Sequence, residues 1–289
     1  MQVNRKRLIH LHHLNHISRP LLREMLDFDL SLESIYSLAP KELSHYFSIP
    51  PEQASLLYRD IHDRALIDLY QKNLHQTDIV TIFDKTYPSL LQHIYDPPLV
   101  LYCRGNQDLF QSKPAISVIG TRKTSREGPQ KLHFILAPLI HKDWTIVSGL
   151  AYGIDYYAHE LTLKYGGKTI AVLGNGFNHL YPAEHEAIFT QIAHKGLVVS
   201  EYPPHLQAKR HHFPERNRII SGLTEATLVI EATEKSGTNI TVEHALEQGK
   251  EVYAVPGSIL HASTIGCHRL IQDGAKLVMN ANDILEDYR

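Results

Sequence analysis

The stretch Ala115-Ile-Ser-Val-Ile-Gly-Thr-Arg-Lys-Thr-Ser-Arg-Glu-Gly128, then a helical segment, then Thr145-Ile-Val-Ser-Gly-Leu-Ala-Tyr-Gly-Ile-Asp155 decides the fold. Short apolar runs rich in β-branched residues alternate with helical stretches, the rhythm of βαβ units and a parallel sheet. Continuing outward, strands are expected at Ala115–Ile119, Thr145–Ser148, Thr169–Leu173, Leu197–Ser200, Thr227–Glu231, Glu251–Val255 and Lys276–Met279. Nearly all are apolar on both faces, as strands covered by helices on both sides must be. The expectation is an α/β, Rossmann-like, doubly wound and mostly parallel sheet. Just upstream, Ile79-Val-Thr-Ile-Phe83 and Leu99-Val-Leu-Tyr102 read as two short strands attached to it. Before these, Leu8, Leu11 and Leu14, then Leu21, Leu22, Met25 and Leu26, recur at helical spacing and are broken by Pro20, Pro40 and Pro50-Pro51. Residues 1–75 are therefore expected to form a small helical domain of the SAM or helix-hairpin-helix kind, and residues 76–289 the Rossmann-like domain.

With 289 residues, 43% of them apolar, the chain can bury a sizeable core, which excludes a disordered or solvating tail. Apolar runs such as Ile170–Leu173 fall far short of the ~20 residues of a membrane helix, and the basic start is not followed by an apolar signal region. Cys103 and Cys267 stand far apart without a Cys-x-x-Cys, so neither a disulfide scaffold nor a thiolate metal site is expected, and a cytoplasmic location fits. The formal net charge of −2 argues against a nucleic-acid binder only as an average. Basic residues gather at Arg5 to Arg23, Arg122 to Lys131 and Lys209 to Arg218, and the 20 histidines hold further positive charge in reserve.

Ligands of such sheets bind at the carboxyl ends of the strands, and four loops there are unusual. Gly120 to Gly128 sets Arg122, Lys123 and Arg126 beside a helix start, with Ser125 as a cap and Glu127 in the first turn. It is neither a P-loop nor a dinucleotide Gly-x-Gly-x-x-Gly. Ser148-Gly149 to Asp155 lets backbone approach a ligand, with Asp155 bracing the glycine turn. Lys209-Arg-His-His-Phe-Pro-Glu-Arg-Asn-Arg218, read as a long connection before a helix from Ile219 to Ala226, joins Arg210, Arg216 and Arg218 to the aromatic Phe213. Guanidinium and aromatic faces together suit a groove that follows a single strand and stacks its bases. On one helix Arg216 and Arg218 point apart, so at most one faces the ligand of Arg210. Ser236-Gly237-Thr238 offers hydroxyl and amide donors at another helix start. Four such loops on one edge imply an anionic ligand. His12 and His16, and His211-His212, lack a third ligand and any His-Glu-x-x-His, so no metal site is expected. Asp155 and His159 stand at i,i+4 without a nucleophile, so no catalytic couple is expected.

Gly120-Thr-Arg, Ser148-Gly-Leu-Ala-Tyr-Gly-Ile-Asp, Gly167-Lys-Thr-Ile-Ala-Val-Leu-Gly, Tyr181-Pro, Ser200-Glu-Tyr-Pro, Phe213-Pro-Glu-Arg-Asn-Arg, Ser236-Gly-Thr and Ala254-Val-Pro-Gly257, in that order, closely resemble the DNA-processing protein A family (DprA/Smf). The resemblance runs over about residues 77–275. It implies an extended Rossmann domain that binds single-stranded DNA, forms a homodimer, and loads RecA recombinase on incoming strands in natural transformation. It implies no catalytic turnover and no cofactor. Carried over by position, the DNA-contacting candidates are Arg122, the Ser148-Gly149 turn, Arg210, Phe213 and Arg216-Asn217-Arg218; Gly120, Ser236, Gly237 and Thr238 join them from the loop reading. Members often have Lys where Arg210 stands. Many also carry a C-terminal winged-helix-like domain, and the short form without it is expected here.

A second reading is an enzyme, since the Rossmann variant also resembles the lysine-decarboxylase-like (LOG) phosphoribohydrolases. Their Pro-Gly-Gly-x-Gly-Thr-x-x-Glu motif requires a carboxylate where this chain has Thr241, and Glu243 lies on a different helix face. A hydroxyl does not replace a carboxylate base. A third reading concerns Arg5, Lys6, Arg7, Arg19 and Arg23, which precede any acidic residue and mark a DNA-facing or partner-facing surface on the helical domain.

Overall fold

In the computed structural model, residues 2–73, 77–234 and 236–288 are described. The helical segment comprises α1 (Gln2–His13), α2 (Arg19–Phe28), α3 (Pro40–Tyr46), α4 (Pro51–His62) and α5 (Arg64–Asn73). Prolines open α2, α3 and α4 in their first turns, where the missing N–H costs nothing. There follow β1 (Asp78–Thr81), the single turn α6 (Ser89–Gln92), β2 (Val100–Gly105), β3 (Ala115–Ile119), α7 (Gly128–His141), β4 (Thr145–Ser148), α8 (Ile154–Lys164), β5 (Lys168–Leu173), α9 (Glu186–Lys195) and β6 (Leu197–Ser200). The chain continues through α10 (His212–Gly222), β7 (Ala226–Val229), α11 (Gly237–Glu247), β8 (Glu251–Ala254), α12 (Ala262–Gln272), β9 (Lys276–Leu277) and α13 (Asn282–Leu285).

One nine-stranded sheet runs β1-β2-β6-β5-β4-β3-β7-β8-β9. From β6 to β9 all pairings are parallel, while β1 pairs β2 and β2 pairs β6 antiparallel. This is the mostly parallel Rossmann-like sheet expected. Strands β3, β4, β6 and β7 are buried at every residue, and their few polar groups pair internally, as Ser117 Oγ does with Thr227 Oγ1 at 2.7 Å.

The strand order places the site. From β3 the chain steps outward through β4, β5 and β6, then returns past them to β7 on the other flank of β3. The crevice at this switch point opens where the loops after β3 and β7 part, and α10 lies along the return path. Helix α10 starts at His212, seven residues earlier than the Ile219 expected. Pro214 sits in the first turn of this helix, where proline is tolerated. Asp155 and Gly153 shape the next crossover: Gly153, with φ of 78°, precedes α8, and a Cβ there would stand 2.3 Å from Thr121 O.

The helical segment shares its core with the sheet. Leu8, Leu11, Leu22 and Met25 belong to the same buried cluster as Tyr102, Leu150, Leu173 and Val198. Arg5, Arg19 and Arg23 face this seam, while Arg7 pairs within the helical segment. Arg5 pairs with Asp84 at 2.9 Å, Arg19 and Arg23 pair with Asp96 at 2.9 and 2.8 Å, and Arg7 lies 3.2 Å from Glu33. Of the basic surface expected over Arg5 to Arg23, the four arginines are neutralised by carboxylates distant in sequence, while Lys6 stays exposed.

Candidate nucleic-acid interface

A cleft of about 700 Å³ occupies the switch point, and all four loops reach it. Gly120 and Arg122 follow β3, Ala151 and Asp155 follow β4, Arg210, Phe213, Arg216 and Asn217 follow β6, and Ser236, Gly237 and Thr238 follow β7. Arg122 and Arg210 are exposed, as are Lys123 and Arg126 beside them, and among the described residues no carboxylate lies within ion-pairing distance of any of the four. Helix α11 begins at Gly237, so its first amides, unsatisfied within the helix, open toward the same space. Its N-cap, Ser236, has an Oγ without a partner among the described residues.

The loop bearing Arg122 is held from behind. Glu231, wholly buried, accepts from Ser125 N at 2.8 Å and from Ser125 Oγ at 2.5 Å, and Lys131 Nζ lies 3.3 Å away. Ser125 Oγ in turn, two residues ahead of the N-cap, accepts from Gly128 N at 3.1 Å, and the N-cap position itself belongs to Glu127, expected in the first turn. Gly120 is obligatory, because a Cβ would stand 2.6 Å from the Ile154 side chain.

Arg216 is 4% exposed and lines the floor of the cleft. Its guanidinium donates to Gly149 O at 2.6 Å and also to Val172 O, and it lies where a Cβ on Gly149 would be, 2.6 Å from Nη2. Burial pushes its pKa down to about 10, opposed by the Asp155 charge, so it stays cationic at neutral pH. Burial raises the Asp155 pKa, opposed by Arg216, and its Oδ2 accepts from Gly149 N at 3.1 Å. Asp155 therefore braces the glycine turn, as expected. His159 turns away from it and bonds Thr169 Oγ1 at 2.7 Å.

Phe213 lies half-buried on the cleft wall, packed over Gly174 and beside Tyr181 with ring centroids 5.4 Å apart. Tyr181, 48% exposed and lining the same cleft, is a site residue the sequence reading did not single out. An aromatic ahead of a proline in the loop after β5 was the available signal.

Three candidates are redirected. Arg218 points off the cleft: it is 5% exposed and grips Glu201 at 2.7 and 2.9 Å and Asp96 at 3.2 Å. Burial alone would lower its pKa, but Glu201 and Asp96 outweigh that and raise it, while Glu201 is held below its usual value. It braces α10 and does not face the ligand of Arg210. Ser148 is wholly buried with Oγ donating to Val118 O at 2.6 Å, and Gly149, also buried, makes its close approach to the Arg216 guanidinium and not to the cleft. His212, once grouped with the basic residues around Arg210, is buried, stacked on Tyr202 at 4.0 Å, and its pKa is lowered by burial and by His211.

The family model for DNA recombination-mediator protein A matches residues 78–289. The chain belongs to this family. Among its relatives, the DNA processing protein DprA of Streptococcus pneumoniae is 45% identical over 231 residues, 80% of each chain, and that of Bacillus subtilis is 43% identical over 208 residues, 72% of this chain and 70% of the other. The X-ray structure of the pneumococcal DprA superposes with a TM-score of 0.84 at 36% identity, covering 99% of this chain and 97% of that one. A Helicobacter pylori DNA processing protein A, whose structure is described by its single-stranded DNA binding mode, superposes with a TM-score of 0.66 at 26% identity over 75% of this chain and 99% of that one. The family match thus includes every loop of the cleft, from Gly120 to Thr238.

Proposed function

We propose that the cleft binds single-stranded DNA and that the chain, as a homodimer in the cytoplasm, protects incoming strands and loads RecA recombinase on them without catalytic turnover. The observation that carries this reading is the pairing of unneutralised guanidinium groups, Arg122 and Arg210, with the Phe213 and Tyr181 rings around one open cleft. Cations take the phosphates and rings take the bases, a combination that suits unpaired strands, whose base faces are free to stack. The single-strand binding of the Helicobacter pylori relative supports the ligand, and the family's description as a recombination mediator supports the RecA step.

The absence of turnover is supported by the cleft's chemistry. Among the described lining residues Asp155 is the one carboxylate, and it is engaged by Gly149 N–H; Thr241, at the place of the LOG carboxylate, is buried. Glu243 is exposed and outside the lining.

Oligothymidine binding by the Arg210→Ala and Phe213→Ala proteins tests the site: each is expected to weaken it, and wild-type affinity in both would remove the assignment. Release of ribose 5-phosphate from a nucleoside monophosphate would establish the enzyme reading instead.

A further inference from the structure

A second cleft, of about 640 Å³, lies between the helical segment and the sheet, directly across the segment that carries Arg210. The partition between the clefts is a fixed ridge. Leu206 O accepts from Gly176 N at 2.8 Å, Pro204 O from Asn178 N at 3.0 Å, and Lys209 O from His212 N at 3.0 Å. Neighbouring side chains on this ridge line opposite clefts: Arg210 and Phe213 the first, Lys209 and His211 the second. The second cleft's far wall is the α1–α2 turn, with Asn15, His16 and Ser18.

Two observations bear on what crosses the ridge. First, single-strand grooves of OB folds follow about 4–16 nucleotides, and a strand of that length on this chain would extend beyond a cleft of about 700 Å³. Second, the charge at the crest is unneutralised. Lys209 and Arg210 are exposed and unpaired among the described residues, and the His211 ring is exposed beside them. The carboxylates of the second cleft are already engaged: Glu201 by Arg218 at 2.7 Å, and Glu215 by the Tyr202 hydroxyl at 3.0 Å with Arg19 3.5 Å away.

Building on the single-strand reading of the first cleft, we infer that the strand passes over the Lys209–His211 crest into the second cleft, so that the helical segment forms part of the DNA surface. Lys209 meets a phosphate at the crossing, His211 offers an exposed ring to a base, and the α1–α2 turn closes the path. DNA longer than the first cleft then touches both parts of the molecule at once.

The test compares oligothymidines of about 6 and about 20 nucleotides on the whole chain, wild type and Lys209→Gln/His211→Gln. The expected result is that the longer strand binds wild type at least about tenfold more tightly than its extra sites explain, that the double variant loses this gain, and that its affinity for the short strand stays within about twofold. Hydrogen exchange at residues 14–19, expected to slow with the long strand and not with the short one, reads the helical segment directly. A long-strand gain unaffected in the double variant, with unchanged exchange at 14–19, overturns the extended path while leaving the first cleft in place. Failure of both strands to bind wild type overturns the single-strand reading itself.

Discussion

At the carboxyl edge of the sheet, Arg122 and Arg210 are exposed and, among the described residues, unpaired, whereas along the seam between helices and sheet Arg5, Arg19, Arg23 and Arg218 each meet a carboxylate at 2.7 to 2.9 Å. Residue type is the same and role is opposite. A guanidinium already held by a carboxylate stabilises the fold and adds little to the field a polyanion senses; one left free in a cleft does the reverse. Net charge and motif membership miss this difference, because Arg218 sits in the same Phe213-to-Arg218 signature as the cleft residues. What separates the two sets is whether a distant carboxylate has been folded against them.

The largest effect expected on this division is in the seam. Arg218→Ala leaves the buried Glu201 with only Arg19, 3.5 Å away, and is expected to cost about 3–5 kcal/mol of stability in urea unfolding. A variant that keeps its stability and loses DNA binding would move Arg218 into the free set.

The seam also makes a pH prediction. Burial is the main cause that lowers the pKa values of His12, to about 4 against an opposing pull from Glu201, and of His13, to about 3. His13 packs against Tyr70, Tyr102 and His205. Groups whose folded pKa lies below the unfolded value of 6.5 bind more protons when unfolded. Stability is therefore full above pH ~6.5 and is lost as pH falls from there toward the folded values, by up to about 1.4 kcal/mol per pH unit for each histidine. Unfolding free energies between pH 7 and 5 check this, and His13→Phe should flatten the dependence.

In the cleft, effects appear in binding and not in folding. Phe213→Ala is expected to weaken oligothymidine binding by about 1–3 kcal/mol, the loss of one stacked base. The smallest change belongs to Arg210→Ala, which should lower the salt slope by about 0.7, one phosphate contact, with stability changed by less than about 0.5 kcal/mol. Arg210→Lys should restore the slope, since the charge remains.

The sheet was legible in the sequence because each parallel strand is a short apolar run bounded by helical periodicity, a purely local pattern. Strand bounds shifted by a residue or two, as at Lys168 and Ala226, where hydrogen bonding with neighbours sets the ends. The convergence of the four loops was legible too, since parallel strands put their carboxyl ends on one edge. Three things were not. The start of α10 was hidden because Lys209 to Arg218 carries no apolar helical periodicity. Arg5, Arg19 and Arg23 looked free, and Arg218 could not be told from Arg216 as the bracing one, because Asp84, Asp96 and Glu201 reach them only in three dimensions. Tyr181 gained its meaning from Phe213, a partner on another strand's loop.

The central claim is that free cations and paired aromatics at the sheet edge recognise unpaired DNA. Titrating oligothymidine and a duplex of equal length across salt concentrations tests it most directly. The account predicts tighter binding of the single strand at every salt, with a slope of about 0.7 per phosphate contact that shrinks in Arg122→Ala/Arg210→Ala. Equal or tighter binding of the duplex, or a slope unchanged in that double variant, would contradict it.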